Sequence, residues 1–215
     1  MKRPSRRIAL AITGASGVVY GLRVLEELLR DKAIEVRLTI TPAARDILAA
    51  EHDIRLDLRN FRAAALGIAG AERAVYHAYD DLGAPPASGS FRLDAMAIVP
   101  CSMACAAAIA HGISKDLVER TADVMLKERR RLVIVPRETP LSAVHLENLL
   151  ALARLGVTVI PACPGFYGKP ATVAEVVDFV VARVLDHLGV EHGLGPRWGE
   201  GTQNPKLKMQ NDGVV

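Results

Sequence analysis

The sequence has 215 residues, of which 50% are hydrophobic, 24% are charged and 4% are aromatic. This composition excludes a disordered chain and is typical of an α/β domain with an aliphatic core. The 27 basic side chains nearly balance the 24 acidic ones, so the net charge of +3 gives no uniform field for holding nucleic acid. No window approaches the apolar length of a membrane span. An anion site in this protein must therefore be local.

The amino terminus and the cysteines bear on the compartment. The basic opening MKRPSRR is followed by an apolar run that Gly14 interrupts too early for a signal peptide. Three cysteines, Cys101, Cys105 and Cys163, are an odd number, which favours a reducing environment over disulfides. Because no second Cys/His cluster accompanies Cys101 and Cys105, we interpret them as small buried residues and predict no metal site. These features predict a cytoplasmic protein.

The first third of the chain alternates strand and helix patterns. A β-rich run over 7–13 ends at the turn Gly14-Ala-Ser-Gly17, and leucines at helical spacing follow it. A second strand over 35–40 leads into Thr41-Pro42, where a hydroxyl cap and a proline at the first helical position predict a helix reaching Glu51. Residues 53–83 show no clear period. The proline-rich segment after them has the composition of a loop.

The rest of the chain continues the alternation. Three apolar runs predict buried parallel strands, over 95–99, 132–135 and 157–160. Helices are predicted between and after them, over 104–110, 116–130, 141–155 and 172–188. The last of these begins with Thr172 and Glu175, which predict a capping box. The pattern predicts an α/β fold with a doubly wound, mostly parallel sheet, a three-layer sandwich of the Rossmann-like or flavodoxin-like type. We expect one domain over 1–200 and a flexible polar tail over 201–215.

Unusual residues follow the predicted strands, at the edge where such sheets bind ligands. Gly14, Ser16 and Gly17 offer N–H groups and a hydroxyl at a helix N-terminus, which suits a phosphate. Their spacing differs from G-x-G-x-x-G, and the second strand ends in Thr41 instead of the acidic residue that binds a ribose. A mononucleotide such as FMN therefore fits better than a nicotinamide cofactor.

Charged side chains form two further groups of candidates. Arg120, Asp123 and Lys127 share one helix face, and by themselves they are typical of an exposed ion-pair ladder. Arg137 and Glu138 directly follow a buried strand, where a charge is costly unless it is used or paired. A carboxylate beside basic groups can also carry a proton. The residues alone leave the roles of Glu51, Tyr167 and Arg183 open, and they favour ordinary helix positions for His111 and His145.

Six segments of the sequence carry a family resemblance. They are GASGVVYGLR, PPASGS, AIVPCSMACAAAIAHG, DLVERTADVMLKERRRLVIVPRETPLSAVHLENL, PGFYGKP and PRWGE. Together they resemble the UbiX-type flavin prenyltransferases, over residues from about Arg7 to Glu200. The resemblance implies a metal-independent enzyme that transfers a dimethylallyl group from dimethylallyl phosphate to N5 and C6 of reduced FMN. The product, prenylated FMN, would serve a UbiD-type decarboxylase, which links the protein to ubiquinone biosynthesis.

The resemblance also implies roles for individual residues. FMN contacts are implied for Gly14, Ala15, Ser16, Thr41, Ser88, Ser102, Met103, Ala104, Cys105 and Arg137. Contacts with dimethylallyl phosphate are implied for Arg120, Lys127, Glu138, Tyr167, Arg183 and Trp198. Cations and a phenol suit the negative charge that grows on a phosphate leaving group. Catalytic roles are implied for Ser16 and Glu51, near N5 and C6, and for Lys127 and Glu138, with Glu138 as proton donor to the leaving group. We expect the cations to converge on the phosphates.

The resemblance further implies a homo-oligomer, a dodecamer in which neighbouring subunits close the site through residues 87–89 and Trp198. Two alternatives stand beside it. An FMN-dependent cysteine decarboxylase would carry a catalytic histidine in its first long helix, but no histidine lies between Gly17 and Glu51. A flavin carrier without enzymatic activity would not need the cations and carboxylate implied for dimethylallyl phosphate.

Overall fold

The computed structural model describes residues 6–195, so Trp198 and the predicted tail over 201–215 lie outside the described residues. Within residues 6–195 the chain forms six strands: β1 (Arg6–Ile12), β2 (Ile34–Ile40), β3 (Val75–Tyr76), β4 (Ala95–Cys101), β5 (Arg131–Pro136) and β6 (Thr158–Val159). The same residues form six α-helices: α1 (Val18–Arg30), α2 (Pro42–His52), α3 (Met103–Ala110), α4 (Leu117–Lys127), α5 (Ala143–Arg154) and α6 (Val173–Leu188).

The strands form one parallel sheet in the order β3-β2-β1-β4-β5-β6. The chain runs outward from β1 to β3, returns to place β4 beside β1, and continues outward to β6. This order confirms the predicted doubly wound α/β fold, and it is the Rossmann order. The direction of winding reverses between β1 and β4. The helices that follow these two strands lie on opposite faces of the sheet, so a crevice is expected at the carboxyl ends of β1 and β4.

Two hydrophobic cores lie on opposite faces of the sheet. Alternate residues of β1 show the division, because Ile8 and Leu10 pack with α1 and α6, whereas Ala9 and Ala11 pack with α3, α4 and α5. The valine stripe of α6 is buried in the first core, and the apolar face of α4 is buried in the second. Helices α4 and α6 therefore cover opposite faces. None of the described helices has the length and apolar character required to cross a bilayer.

Strand β3 is the element that the sequence pattern did not predict. It has only two residues, Val75 and Tyr76, which pair with Arg37 and Leu38 of β2. Tyr76 is held from outside the sheet, because its ring stacks on Phe61 at 4.0 Å and its hydroxyl donates to Leu58 O at 3.2 Å. Burial, with the nearby carboxylates, raises the pKa of Tyr76 to about 12. A strand this short is specified by tertiary contacts and leaves no periodicity.

The predicted capping box at α6 is only half correct. The Thr172 hydroxyl accepts from Glu175 N at 3.2 Å, but the Glu175 carboxylate accepts from Ala171 N instead of Thr172 N. The reciprocal box occurs at α5. There the Ser142 hydroxyl accepts from His145 N, and His145 Nδ1 accepts from Ser142 N, both at 3.2 Å. An imidazole nitrogen takes the place of the carboxylate or amide oxygen that is usual at this position.

Candidate active site

Thr13 joins the carboxyl ends of β1 and β4, where the winding reverses. Its side chain is 2% exposed, and its Oγ1 donates to Pro100 O at 2.9 Å and accepts from Ser102 N at 2.8 Å. Its own N–H also donates to Pro100 O. These bonds fix the position of the Ser102 loop relative to the glycine turn that follows Thr13. The available signal in the sequence was a hydroxyl residue at the end of an apolar strand.

The turn from Gly14 to Gly17 brings the first two helices close together. A Cβ on Gly14 would overlap the Cβ of Ala43 at the start of α2, so this approach requires glycine. Gly17 precedes α1 with a φ of 92°, in the left-handed region that glycine adopts at little cost. Between them Ala15 is buried and Ser16 is exposed. The turn thus presents the Ser16 side chain at the mouth of the crevice.

The carboxylate of Glu51, a residue near the end of α2, lies at the N-terminus of α1. It accepts from Gly17 N at 3.0 Å and from Val18 N at 3.3 Å. A negative charge is favourable there because it faces the unpaired N–H groups of the helix. The expectation that the Gly17 N–H is available to a phosphate is therefore wrong for this conformation. The carboxylate lies beside Ser16, the other residue for which the resemblance implies a role near N5 and C6.

Arg137 lies across the same turn from the end of β5. Its Cγ is 4.0 Å from the position that a Cβ on Gly17 would take. Its Nε is buried and has no hydrogen-bond partner among the described residues. A buried donor without an acceptor is costly, so a ligand oxygen at this point would stabilise the arrangement. Tyr20 contacts the same turn, and burial raises the pKa of its phenol.

The remaining predicted FMN contacts follow β2 and β4. Thr41 caps α2 by accepting from Ala44 N, and Ser102 caps α3 by accepting from Cys105 N, both at 3.2 Å. Each hydroxyl keeps its O–H for donation to a ligand. Met103 is buried and Ala104 is exposed. A hydrogen bond with Cys101, together with burial, raises the pKa of Cys105 well above its ordinary value, so this side chain is a neutral thiol.

A second set of predicted residues forms what we call the α4 group, Arg120 and Lys127 with residues 87–90. Arg120 Nε donates to Ala87 O at 3.0 Å, and its NH1 pairs with Asp123 at 2.7 Å. Lys127 pairs with Glu128 at 2.9 Å instead of continuing the predicted ladder to Asp123, and this bond lowers the pKa of Glu128. In the adjoining loop, the hydroxyl of Ser88 is hydrogen-bonded to that of Ser90.

A third set lines what we call the α6 pocket, a cavity of about 680 Å³ between α6, residues 165–171 and residues 192–195. Tyr167 and Arg183 both line it. The Tyr167 ring meets Phe179 edge-on at 5.7 Å, and Arg183 NH1 pairs with Asp186 at 2.8 Å. Among the described residues, neither Arg120 nor Lys127 lines this cavity.

Within one chain, the predicted phosphate residues therefore do not come together, and their convergence stays a prediction. The α4 group and the α6 pocket lie on helices that cover opposite faces of the sheet. Glu138 is exposed just beyond the carboxyl end of β5, whereas Lys127 ends α4 shortly before β5 begins. The intervening strand spans about 20 Å at ~3.3 Å per residue. Helical spacing identifies the face of a helix but not the face of the sheet that the helix covers.

The fold and the crevice define a class. The parallel sheet is doubly wound, a glycine turn lies where the winding reverses, and the Arg137 Nε beside it has no partner within residues 6–195. These features are typical of an α/β protein that binds a nucleotide-like ligand. The comparisons with known proteins narrow this class. The flavoprotein family model matches residues 1–185. The flavin prenyltransferase UbiX of Halalkalibacterium halodurans is 50% identical over 195 residues, which cover 91% of this chain and 94% of the relative. The chain belongs to the flavoprotein family and, within it, to the UbiX-type flavin prenyltransferases.

Two solved structures are similar over nearly the whole chain. AnUbiX (PadA1), in complex with FMN and dimethylallyl pyrophosphate, has a TM-score of 0.81 at 40% identity and covers 92% of this chain and 99% of its own. The dodecameric FMN-dependent UbiX-like decarboxylase of Escherichia coli O157:H7 has a TM-score of 0.80 at 41% identity, with 89% and 98% coverage. Both share the fold described above.

Proposed function

We propose that this protein transfers a dimethylallyl group from dimethylallyl phosphate to reduced FMN. The bond to N5 forms as the carbon–oxygen bond to phosphate breaks, and the bond to C6 forms as the double bond of the dimethylallyl group takes up a proton. N5 and C6 each lose one proton, of which one is balanced by the double bond and one by the departing phosphate. Reduced FMN supplies the two nucleophilic positions. The prenylated FMN then serves a UbiD-type decarboxylase. The observation that carries the proposal is the buried Nε of Arg137 at the crevice, which no group in the described part of the chain satisfies, in a chain that is 50% identical to a flavin prenyltransferase.

The residues at the crevice fit FMN. Gly14 has no side chain, so the backbone of the turn is open to a ligand. The Thr41 and Ser102 hydroxyls each retain an O–H that can donate to a ligand oxygen. Arg137 offers a donor that nothing else among the described residues satisfies. Buried Ala15, Met103 and Cys105 provide uncharged surface for a flat aromatic ring, with exposed Ala104 between them in sequence. We assign these residues, with Ser88 from the loop before β4, to FMN binding.

Proton movements fall to three side chains. Glu51 lies beside Ser16 with its carboxylate on Gly17 N and Val18 N. This placement suits a base that accepts, directly or through the Ser16 hydroxyl, the protons lost as the new bonds form. Glu138 follows β5 next to Arg137, and its Oε1 accepts from Thr139 N at 3.0 Å. Its second oxygen can carry the proton that the departing phosphate takes up.

The phosphate contacts require more than one chain. Because the α4 group and the α6 pocket lie on opposite faces of the sheet, we propose that neighbouring copies bring Arg120 and Lys127 of one chain to Tyr167 and Arg183 of another. The E. coli relative is dodecameric, and we propose the same assembly here. Lys127 would then act on the phosphate as it leaves. Trp198, outside the described residues, is proposed to help close the site.

The test is an anaerobic incubation of the purified protein with reduced FMN and dimethylallyl phosphate, followed by mass spectrometry of the flavin. We expect a flavin heavier by one five-carbon unit. The Glu138→Gln variant should retain FMN and form this product more slowly, because it lacks the proton donor. Flavin of unchanged mass, in an experiment where an authentic flavin prenyltransferase is active, would contradict the proposal and leave the flavin-carrier alternative.

A further inference from the structure

One carboxylate in the wall of the α6 pocket holds two other side chains. Asp186 Oδ2 accepts from Arg183 NH1 at 2.8 Å, and Asp186 Oδ1 is 3.1 Å from His192 Nε2. Arg183 is 51% exposed as a side chain, whereas His192 is only 2% exposed. Asp186 therefore connects a buried imidazole to a guanidinium at the surface of the cavity.

The orientation of the imidazole is fixed on both sides. Leu194 N donates to His192 Nδ1 at 3.1 Å, so Nδ1 is an acceptor and the proton of the neutral ring lies on Nε2, facing Asp186. Leu194 itself is buried in the core that contains α6. The segment after α6 thus folds back and presents one ring nitrogen to the carboxylate.

The helix places this pair beside the aromatic part of the pocket. Phe179, Arg183 and Asp186 are spaced by four and three residues, so they lie on one face of α6. Phe179 contacts the Tyr167 ring at the same cavity. The valines on the neighbouring face are buried against the sheet, which keeps the helix from rotating. On this fixed helix, Asp186 holds the Arg183 guanidinium, and His192 contacts Asp186.

We infer that Asp186 and His192 are positioning residues that orient the Arg183 guanidinium toward the phosphate of the prenyl donor. The inference rests on the proposed function. Arginine has several rotatable bonds, and an ion pair through one N–H restrains the planar fork while leaving its other N–H groups for a phosphate. The His192 N–H keeps the second Asp186 oxygen turned away from the ligand, which limits repulsion between carboxylate and phosphate.

Binding measurements on the full-length protein containing FMN test this inference without relying on turnover. Isothermal titration with dimethylallyl phosphate, and separately with inorganic phosphate, should show about tenfold weaker binding for Asp186→Ala, in line with the loss of a group that orients a binding residue. FMN content should not change. In the Arg183→Ala background the same substitution should have no further effect, because Asp186 acts through Arg183. Equal weakening in both backgrounds would overturn the inference.

Two substitutions of His192 separate its two hydrogen bonds. Gln places an N–H near the position of Nε2, and Asn places an oxygen near the position of Nδ1. We expect His192→Gln to bind phosphate like the wild type and His192→Asn to weaken binding as Asp186→Ala does. The reverse order would show that His192 acts only by holding Leu194. Glu26→Gln, which removes a carboxylate from Arg23 and Arg30 on α1, is the control and should bind phosphate normally.

Turnover distinguishes a failure of this inference from a failure of the proposed function. In the anaerobic assay Asp186→Ala should raise KM for dimethylallyl phosphate and leave kcat within about twofold, since the lost contact orients bound substrate. If the wild type binds phosphate but forms no product, the proposed function fails, and the comparison of the two backgrounds still decides the role of Asp186. If the wild type binds neither phosphate compound, the positioning role is overturned.

Discussion

The crevice at the carboxyl ends of β1 and β4 is formed within one chain, whereas the predicted phosphate residues are not brought together within one chain. In the crevice, hydrogen bonds of Thr13 link the ends of β1 and β4, and those of Glu51 link the end of α2 to Gly17. Arg137, after β5, lies near the same turn. Within residues 6–195, no such contact connects the α4 group with the α6 pocket. Arg120 and Arg183 each pair with an aspartate three residues further along their own helix.

The difference follows from sheet topology. The carboxyl ends of neighbouring parallel strands meet at one edge, so residues that follow strands come together in any chain with this order. Residues on covering helices face outward on one side of the sheet or the other. The α4 group and the α6 pocket are therefore proposed to meet across a contact between chains. On this proposal, one chain builds the crevice part of the site, and assembly completes the phosphate part.

The largest effect is expected from breaking the crevice at Gly14. Gly14→Ala should lower the free energy of unfolding by about 3 kcal/mol, because the added methyl overlaps a Cβ that is attached directly to the α2 backbone. FMN should be lost on purification. Chemical denaturation and the flavin absorbance of the purified protein measure both effects. Gly193→Ala, where an added Cβ would meet no atom of the described residues within 4 Å, is the matched control. Normal FMN content and stability in Gly14→Ala would contradict the close approach.

A smaller loss is expected at Thr13. Thr13→Val keeps the shape of the side chain but leaves Ser102 N without its acceptor, and Pro100 O keeps only the backbone N–H of residue 13 as a donor. We expect destabilisation of about 2 kcal/mol and weaker FMN binding, since a buried unsatisfied group carries its full desolvation penalty. Thr13→Ser retains the hydroxyl and should lie close to the wild type. If Val and Ser had the same FMN dissociation constant by fluorescence titration, the hydroxyl would not hold the crevice.

The smallest effect is expected away from both regions, at His77 beside β3. Burial, followed by the charge of Arg37, lowers the pKa of His77 below its ordinary value of 6.5. The unfolded state therefore binds more protons than the folded state in this range, so the stabilising contribution is complete above about pH 6.5 and is lost as the pH falls below it. Between pH 7.5 and pH 5, the thermal unfolding temperature of His77→Gln should fall less than that of the wild type. FMN binding at pH 7.5 should be unaffected, and a large change there would extend the site to this edge.

Most of the fold follows from local patterns. The apolar runs at 95–99 and 132–135 correspond to β4 and β5, and Thr41-Pro42 starts α2 as predicted. Strand β3 could not be predicted because its two residues depend on pairing with β2 and on the Phe61 ring. The capping box predicted at α6 forms only one of its two bonds, and the box at α5 was not predicted because a histidine nitrogen replaces the usual oxygen there.

The sequence predicted those site residues that come directly after the ends of strands. Gly14, Thr41, Ser102 and Arg137 all lie at the expected edge of the sheet. Thr13 was missed because its two bonds cross from β1 to β4, and no local pattern records such a pairing. The separation of Arg120 from Arg183 also had no signal in the sequence. It depends on which face of the sheet each helix covers, which only the complete topology determines.

The most direct test of the account is complementation between two inactive chains. Arg120→Ala and Arg183→Ala, each purified alone, should form little prenylated flavin. Co-expressed with different affinity tags and purified through both, they should regain activity of about a quarter of the wild type per site, because random assembly pairs an intact Arg120 with an intact Arg183 from neighbouring chains at that frequency. Native mass spectrometry confirms that the oligomers are mixed. Mixed oligomers that remain as inactive as the separate variants would show that one chain supplies both arginines, which would contradict the account.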